Sequence, residues 1–176
     1  AAITALAANS FGTNSYALDF SDSSYLGHDS RPHNLITYSQ DINQWTDASG
    51  TDVVINSLVA PDGSQTADQI QRSASASSVW TGRTSAIGVV ETSTVYTVSA
   101  YFKQDSPGAN YPLINFINPA SYENRAQVLM LFSSGTLTLS HWGGTAKVGN
   151  PVFTDSGNGW WRVSFQVLTS ATASDY

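Results

Sequence analysis

Two stretches, "TVYTVSAYFKQ" (94–104) and "GWWRVSFQVL" (159–168), alternate apolar and polar residues almost one for one. Successive side chains of a strand point to opposite faces, so a period of two demands half-buried strands and excludes an amphipathic helix over the same residues. In the first stretch Tyr96, Val98, Ala100 and Phe102 share the inward face, and Thr97, Ser99, Tyr101 and Lys103 share the other. In the second, Trp161, Val163, Phe165 and Val167 point inward, leaving Trp160, Arg162, Ser164 and Gln166 outside. Adjacent tryptophans thus take opposite roles.

The same alternation in "GTLTLSHW" buries Leu137, Leu139 and His141 and turns Thr136, Thr138, Ser140 and Trp142 outward. "AQVLMLF" is apolar on both faces, which predicts a strand covered on one side by the sandwich and on the other by loops or another subunit. Further strands are expected at 35–38, 52–57, 67–71, 79–81, 87–91 and 113–117. Turn signals separate the runs: "PDG" at 61–63, "SPG" at 106–108, "SSG" at 133–135 and "SGNG" at 156–159. Strands at this spacing predict an all-β antiparallel sandwich over residues 34–176. Residues 1–33 are small and polar with no sustained period, and read as an extended arm whose Phe11, Tyr16, Phe20 and Tyr25 gain surface burial only by docking on a neighbour.

Composition narrows the function classes. Thirteen acidic residues against seven basic ones give a net charge of -6, and no Lys/Arg stripe stands ready to release counterions from a phosphate backbone. Nucleic acid is not an expected ligand. With no cysteine, disulfides and Cys-type zinc sites are absent, so packing and strand pairing must supply the stability. The opening "AAITALAANS" has neither a basic n-region nor a long apolar run, and no segment reads as membrane-inserting.

Catalytic constellations are not expected either. Glycoside hydrolysis needs two carboxylates across a cleft, whereas Glu91 and Glu123 are the only glutamates and the aspartates fall mostly in turns. No nucleophile elbow or phosphate-binding glycine loop occurs. His28 and His33, with Asp29 between them, carry metal-ligand chemistry but match an ordinary solvated loop. Sugar recognition asks for aromatic faces beside amide, hydroxyl and guanidinium groups. Trp80, Arg83, Tyr101, Lys103, Trp142, Trp160 and Arg162 are the candidates. Trp45, after the "DIN" turn, is assigned to packing.

Taken in order, "NLITYSQDINQWT", "VVINSLVAPDGSQTADQI", "YTVSAYFKQ", "LFSSGTLTL" and "NGWWRVSFQV" resemble a module of tailed-bacteriophage structural proteins that is similar to the jelly-roll carbohydrate-binding domains of glycosidases. The likeness spans about 34–168. The polar "LDFSDSSYLGHDSRPHN" resembles what precedes the module in such proteins.

The resemblance implies a virion component, located on the phage particle surface, with a β-sandwich of jelly-roll, carbohydrate-binding type and no enzymatic activity. The implied partners are other virion proteins of capsid or tail, a host or environmental glycan, and further copies of the chain, with a homotrimer as the expected assembly. No cofactor is expected beyond a structural calcium, for which Asp41, Asp52 and Asp175 supply carboxylates. The short chain favours an appendage or decoration protein over a full tail fibre. A cement protein without glycan binding and the carbohydrate-binding module of a secreted glycosidase are the alternatives.

Overall fold

The computed structural model describes residues 18–19, 28–29, 34–47, 50–74, 82–87, 90–104, 110–118 and 123–170. The chain divides into two units, Ala1–Leu35 and Ile36–Tyr176. In the first, β1 (Leu18–Asp19) and β2 (His28–Asp29) pair antiparallel. Phe11, Tyr16, Phe20 and Tyr25 lie outside the described residues.

The second unit is antiparallel β structure with one short 3-10 turn, Ile42–Gln44. β3 (Thr46–Asp47) pairs with β6 (Arg83–Thr84), and β4 (Thr51–Leu58) with β5 (Ala67–Arg72). β7 (Val95–Lys103) lies beside β12 (Trp160–Leu168), which also pairs with β11 (Lys147–Gly157). A second three-stranded sheet places β9 (Glu123–Ser133) between β8 (Leu113–Asn118) and β10 (Thr136–Gly143). Inner-face residues of these two sheets form one core: Ala126, Val128, Met130, Phe132 and Leu137 from one, Val163, Phe165 and Val167 from the other. Two sheets sharing a core in this way match a β-sandwich. Each such large apolar side chain contributes about 1.5–3 kcal/mol on full burial.

Two hairpins follow directly from their turn residues. Ser134 (φ 52°) and Gly135 (φ 79°) join β9 to β10, and Asn158 (φ 52°) and Gly159 (φ 81°) join β11 to β12. Positive φ at both central positions is the two-residue hairpin geometry whose twist matches the flanking strands, and Asn-Gly adopts it readily.

β7 and β12 follow the expected alternation, with Tyr96, Val98 and Phe102 against the core and Val95, Tyr101 and Lys103 on the outer face. β10 does not. Leu139 faces Met130 but His141 faces Leu129, so Ser140 is an extra residue, and this bulge inverts the parity beyond it. Trp142 therefore packs inward, edge-on to Phe165 with ring centroids 5.4 Å apart, while His141 is exposed and Leu139, on an edge strand, is 42% exposed.

Other expectations also change. No strand forms at 35–38; the chain instead turns over 37–40, where Tyr38 takes φ 56° and its carbonyl accepts the Asp41 N–H. Ile87 and Val90 pack against the core from irregular backbone instead of a strand. Residues 79–81 lie outside the described set. β11 was not expected at all, because Gly149 and Pro151 break its pattern. Both fall where the β11–β12 register shifts between Val148 and Val152, at an edge strand where a proline costs no ladder bond.

Candidate functional site

The outer face of the β11–β12–β7 sheet collects four of the seven candidate sugar-binding residues. Trp160 on β12 lies opposite Lys103 on β7, and two residues further along Arg162 lies opposite Tyr101. Thr154 of β11 flanks Arg162 on its other side. Directly opposed side chains on one face stand about 5 Å apart at Cβ, so Tyr101 and Arg162 are immediate neighbours. Tyr101 is 47% exposed and Arg162 is half-buried within the central strand.

One end of this face is walled. The turn after β4 brings Leu58, Val59, Ala60, Pro61 and Gly63 over Trp160, and the β11–β12 hairpin adds Ser156, Gly157 and Asn158. With Lys103 they enclose an open concavity of about 420 Å³. Trp160, expected to be exposed, is instead 9% exposed. Its indole N–H donates to the Val59 carbonyl at 3.1 Å, and the Lys103 ammonium lies 5.9 Å from its ring centroid. The parity reading placed the ring on the correct face of the sheet, but a distant hairpin covers that face. Trp161, assigned to the core, is half-buried against it and donates its indole N–H to the Gly135 carbonyl at 3.0 Å.

The wall is braced by polar contacts within the β4–β5 hairpin. Asp68 accepts the Ile42 N–H at 2.8 Å through Oδ2 and the Asn56 N–H at 2.9 Å through Oδ1, tying the 3-10 turn to β4. At the tip, Asp62 Oδ1 accepts the Ser64 N–H at 2.9 Å and the Ser64 hydroxyl at 2.6 Å. Those two bonds, the hydroxyl first, hold the Asp62 carboxyl below the ordinary carboxylate range.

The remaining candidates go elsewhere. Trp142 is turned into the core, with its indole N–H on the Gly149 carbonyl at 2.9 Å. Arg83 is committed to backbone: Nη1 donates to the Trp45 carbonyl at 3.1 Å and Nη2 to the Thr51 carbonyl at 2.8 Å, clamping β3, β4 and β6. Trp80 lies outside the described residues. Trp45 is half-buried, and its indole N–H donates to the Tyr38 carbonyl at 3.1 Å. Every described tryptophan thus spends its only donor inside the fold.

The sequence reading missed the wall, having taken "APDG" and "SGNG" as separators between strands. The one signal for it was Leu58-Val59, an apolar pair running straight into a turn. No group of three or more His, Asp or Glu able to hold a metal ion occurs among the described residues. Asp41 accepts a Gln44 side-chain bond at 3.2 Å, while His33 and Asp175 lie outside the described set.

Searches against family models, curated proteins and solved structures find no match for this chain.

Proposed function

We propose that this chain is a non-enzymatic structural protein of a tailed-phage virion, displaying a jelly-roll sandwich of carbohydrate-binding type that holds glycan on the outer face of β7–β12–β11. The observation that carries the binding role is the pairing of Tyr101 with Arg162: an exposed aromatic ring stands beside a guanidinium on a rigid central strand. An aromatic face takes the apolar side of a pyranose, and the guanidinium fork meets its oxygens. Support for the virion setting is the sequence resemblance over 34–168. Contacts of this kind are individually weak, and many copies on one particle, or a trimer of this chain, raise the effective concentration without new contacts.

The test is a glycan array probed with the wild-type chain and Tyr101→Ala. Retention of at least one glycan by the wild type, with a tenfold or greater loss in the variant, supports the reading. Equal retention by both moves the site away from Tyr101, and no retention by either removes glycan binding.

A second reading is a decoration protein that contacts other virion proteins and no sugar. It draws on the apolar exposure of the β4–β5 hairpin, where Val54, Ile55, Val59 and Ile70 are all 43–53% exposed. This reading predicts an empty array and a chain that still binds the particle.

A further inference from the structure

We infer that the ligand of the β7–β12–β11 face is an acidic saccharide, bearing a carboxylate or sulfate, whose charge sits between Arg162 and Lys103; this rests on the glycan-binding reading above. The chain carries only seven basic residues against thirteen acidic ones. Two of the seven are placed on adjacent strands of one face, one residue pair apart, flanking Tyr101 and Trp160. Arg83 is already committed to backbone carbonyls, and Arg72 is engaged in an interaction of its own. Arg162 and Lys103 form no ion pair and no side-chain hydrogen bond among the described residues.

Among the described residues, no acidic side chain lies on this face of β7 and β12. Alternate positions of β7 supply Val95, Thr97, Ser99, Tyr101 and Lys103, and those of β12 supply Trp160, Arg162, Ser164, Gln166 and Leu168. None is a carboxylate. Asp155 of β11 lies opposite Trp161, on the other parity, and its Oδ1 accepts the Gly157 N–H at 2.8 Å. Asp62, in the turn that walls the concavity, has its Oδ1 engaged by Ser64. A neutral sugar gives no reason to gather scarce cations on one face with no counter-charge beside them among the described residues of an acidic protein. An anion does, since the guanidinium fork binds carboxylate or sulfate bidentately and the ammonium adds a point charge nearby. The same two charges also draw an anion toward the site against the repulsion of the chain's net negative charge.

The experiment is a glycan array carrying uronate, sialylated, sulfated and neutral oligosaccharides. It is probed at 20 and 300 mM NaCl with the wild type, Arg162→Gln and Lys103→Gln. Circular dichroism confirms folding, and the exposed Lys103 provides a variant that leaves the core untouched. The expected result is retention confined to acidic glycans, a tenfold or greater loss in Arg162→Gln, a threefold or greater loss in Lys103→Gln, and weakening by salt in the wild type. Retention on the uronate or sialylated arms identifies a carboxylate ligand, and retention on the sulfated arm a sulfate. Retention of neutral glycans, insensitive to salt and to both substitutions, overturns the inference while leaving the glycan-binding reading intact. An array on which nothing is retained overturns both.

Discussion

Trp142 and Trp160 are both expected on an outer face, and the fold covers both, by opposite means. At Trp142 the strand itself changes: the extra residue Ser140 flips the parity and drives the ring onto Phe165. At Trp160 the strand stays regular, with an unbroken register against β7 from Trp160 to Leu168, and the cover comes from the turn after β4. One burial is local, written within five residues. The other joins residues a hundred positions apart. A bulge changes which face a residue sees, whereas a wall changes what that face meets.

The largest effect is expected from breaking the local device. Trp142→Ala removes the ring that the bulge turns inward, while Ser140 and the register of β10 stay as they are. The core then loses the aromatic partner of Phe165 and keeps a cavity in its place. We expect a loss of about 3 kcal/mol of unfolding free energy, since large-to-small core changes of this class cost ~2–5 kcal/mol. Urea denaturation measures it. If the ring lay outside the core, as unbroken alternation would place it, the substitution would leave the midpoint within error of wild type.

The distant device is weaker and can be sharpened at one ring. Trp160→Phe keeps an aromatic ring beneath the wall but removes the indole N–H that holds the Val59 carbonyl. Val59 is 52% exposed, so its carbonyl regains water, and the expected cost is about 1–2 kcal/mol, one hydrogen bond plus the packing of the lost part of the buried ring. The same denaturation assay reads it. Hydrogen exchange at Ala60 and Gly63, whose amides bond to the Ser64 and Ala60 carbonyls within the turn, should quicken at the same time. Loss of stability without faster exchange there would show that the ring, not its donor, keeps the wall in place.

The contrast also marks where sequence reasoning succeeds. β7 and β12 were legible because their neighbours are consecutive in register and no residue is inserted, so Val163, Phe165 and Val167 fall inward as alternation requires. The "SSG" and "GNG" turns were legible because positive φ at two successive positions selects small or amide side chains. A bulge has no comparable signature: Ser140 looks like any outward polar residue, and only its partner strand shows that it is extra. β11 was hidden because Gly149 and Pro151 read as a break, although an edge strand tolerates both. Tyr101, Lys103, Trp160 and Arg162 were brought to one face by alternation alone. Arg83 was not, because its partners, the carbonyls of Trp45 and Thr51, lie more than thirty residues away and leave no pattern near it. Even the correct pair of faces therefore says nothing about which aromatic remains open to a ligand.

The smallest effect separates the two tryptophans by pH. Asp62 is held below the ordinary carboxylate range by Ser64, so its bonds favour the folded turn whenever it is ionised. That contribution is fully present above the ordinary carboxylate value, near pH 4, and is lost as pH falls through the lower value of the folded state. Protonation loosens the tip of the turn whose Val59 carbonyl receives the Trp160 indole N–H. It leaves untouched the Gly149 carbonyl that receives the Trp142 indole. In a proton–nitrogen correlation spectrum, the Trp160 indole signal, identified by its absence in Trp160→Phe, should drift as pH is lowered below about 4 while the Trp142 signal holds its position. Asp62→Asn should remove the drift. Equal movement of both signals would mean that acid acts on the sandwich as a whole, and that the wall over Trp160 is no more separable from the sheet than the bulge is.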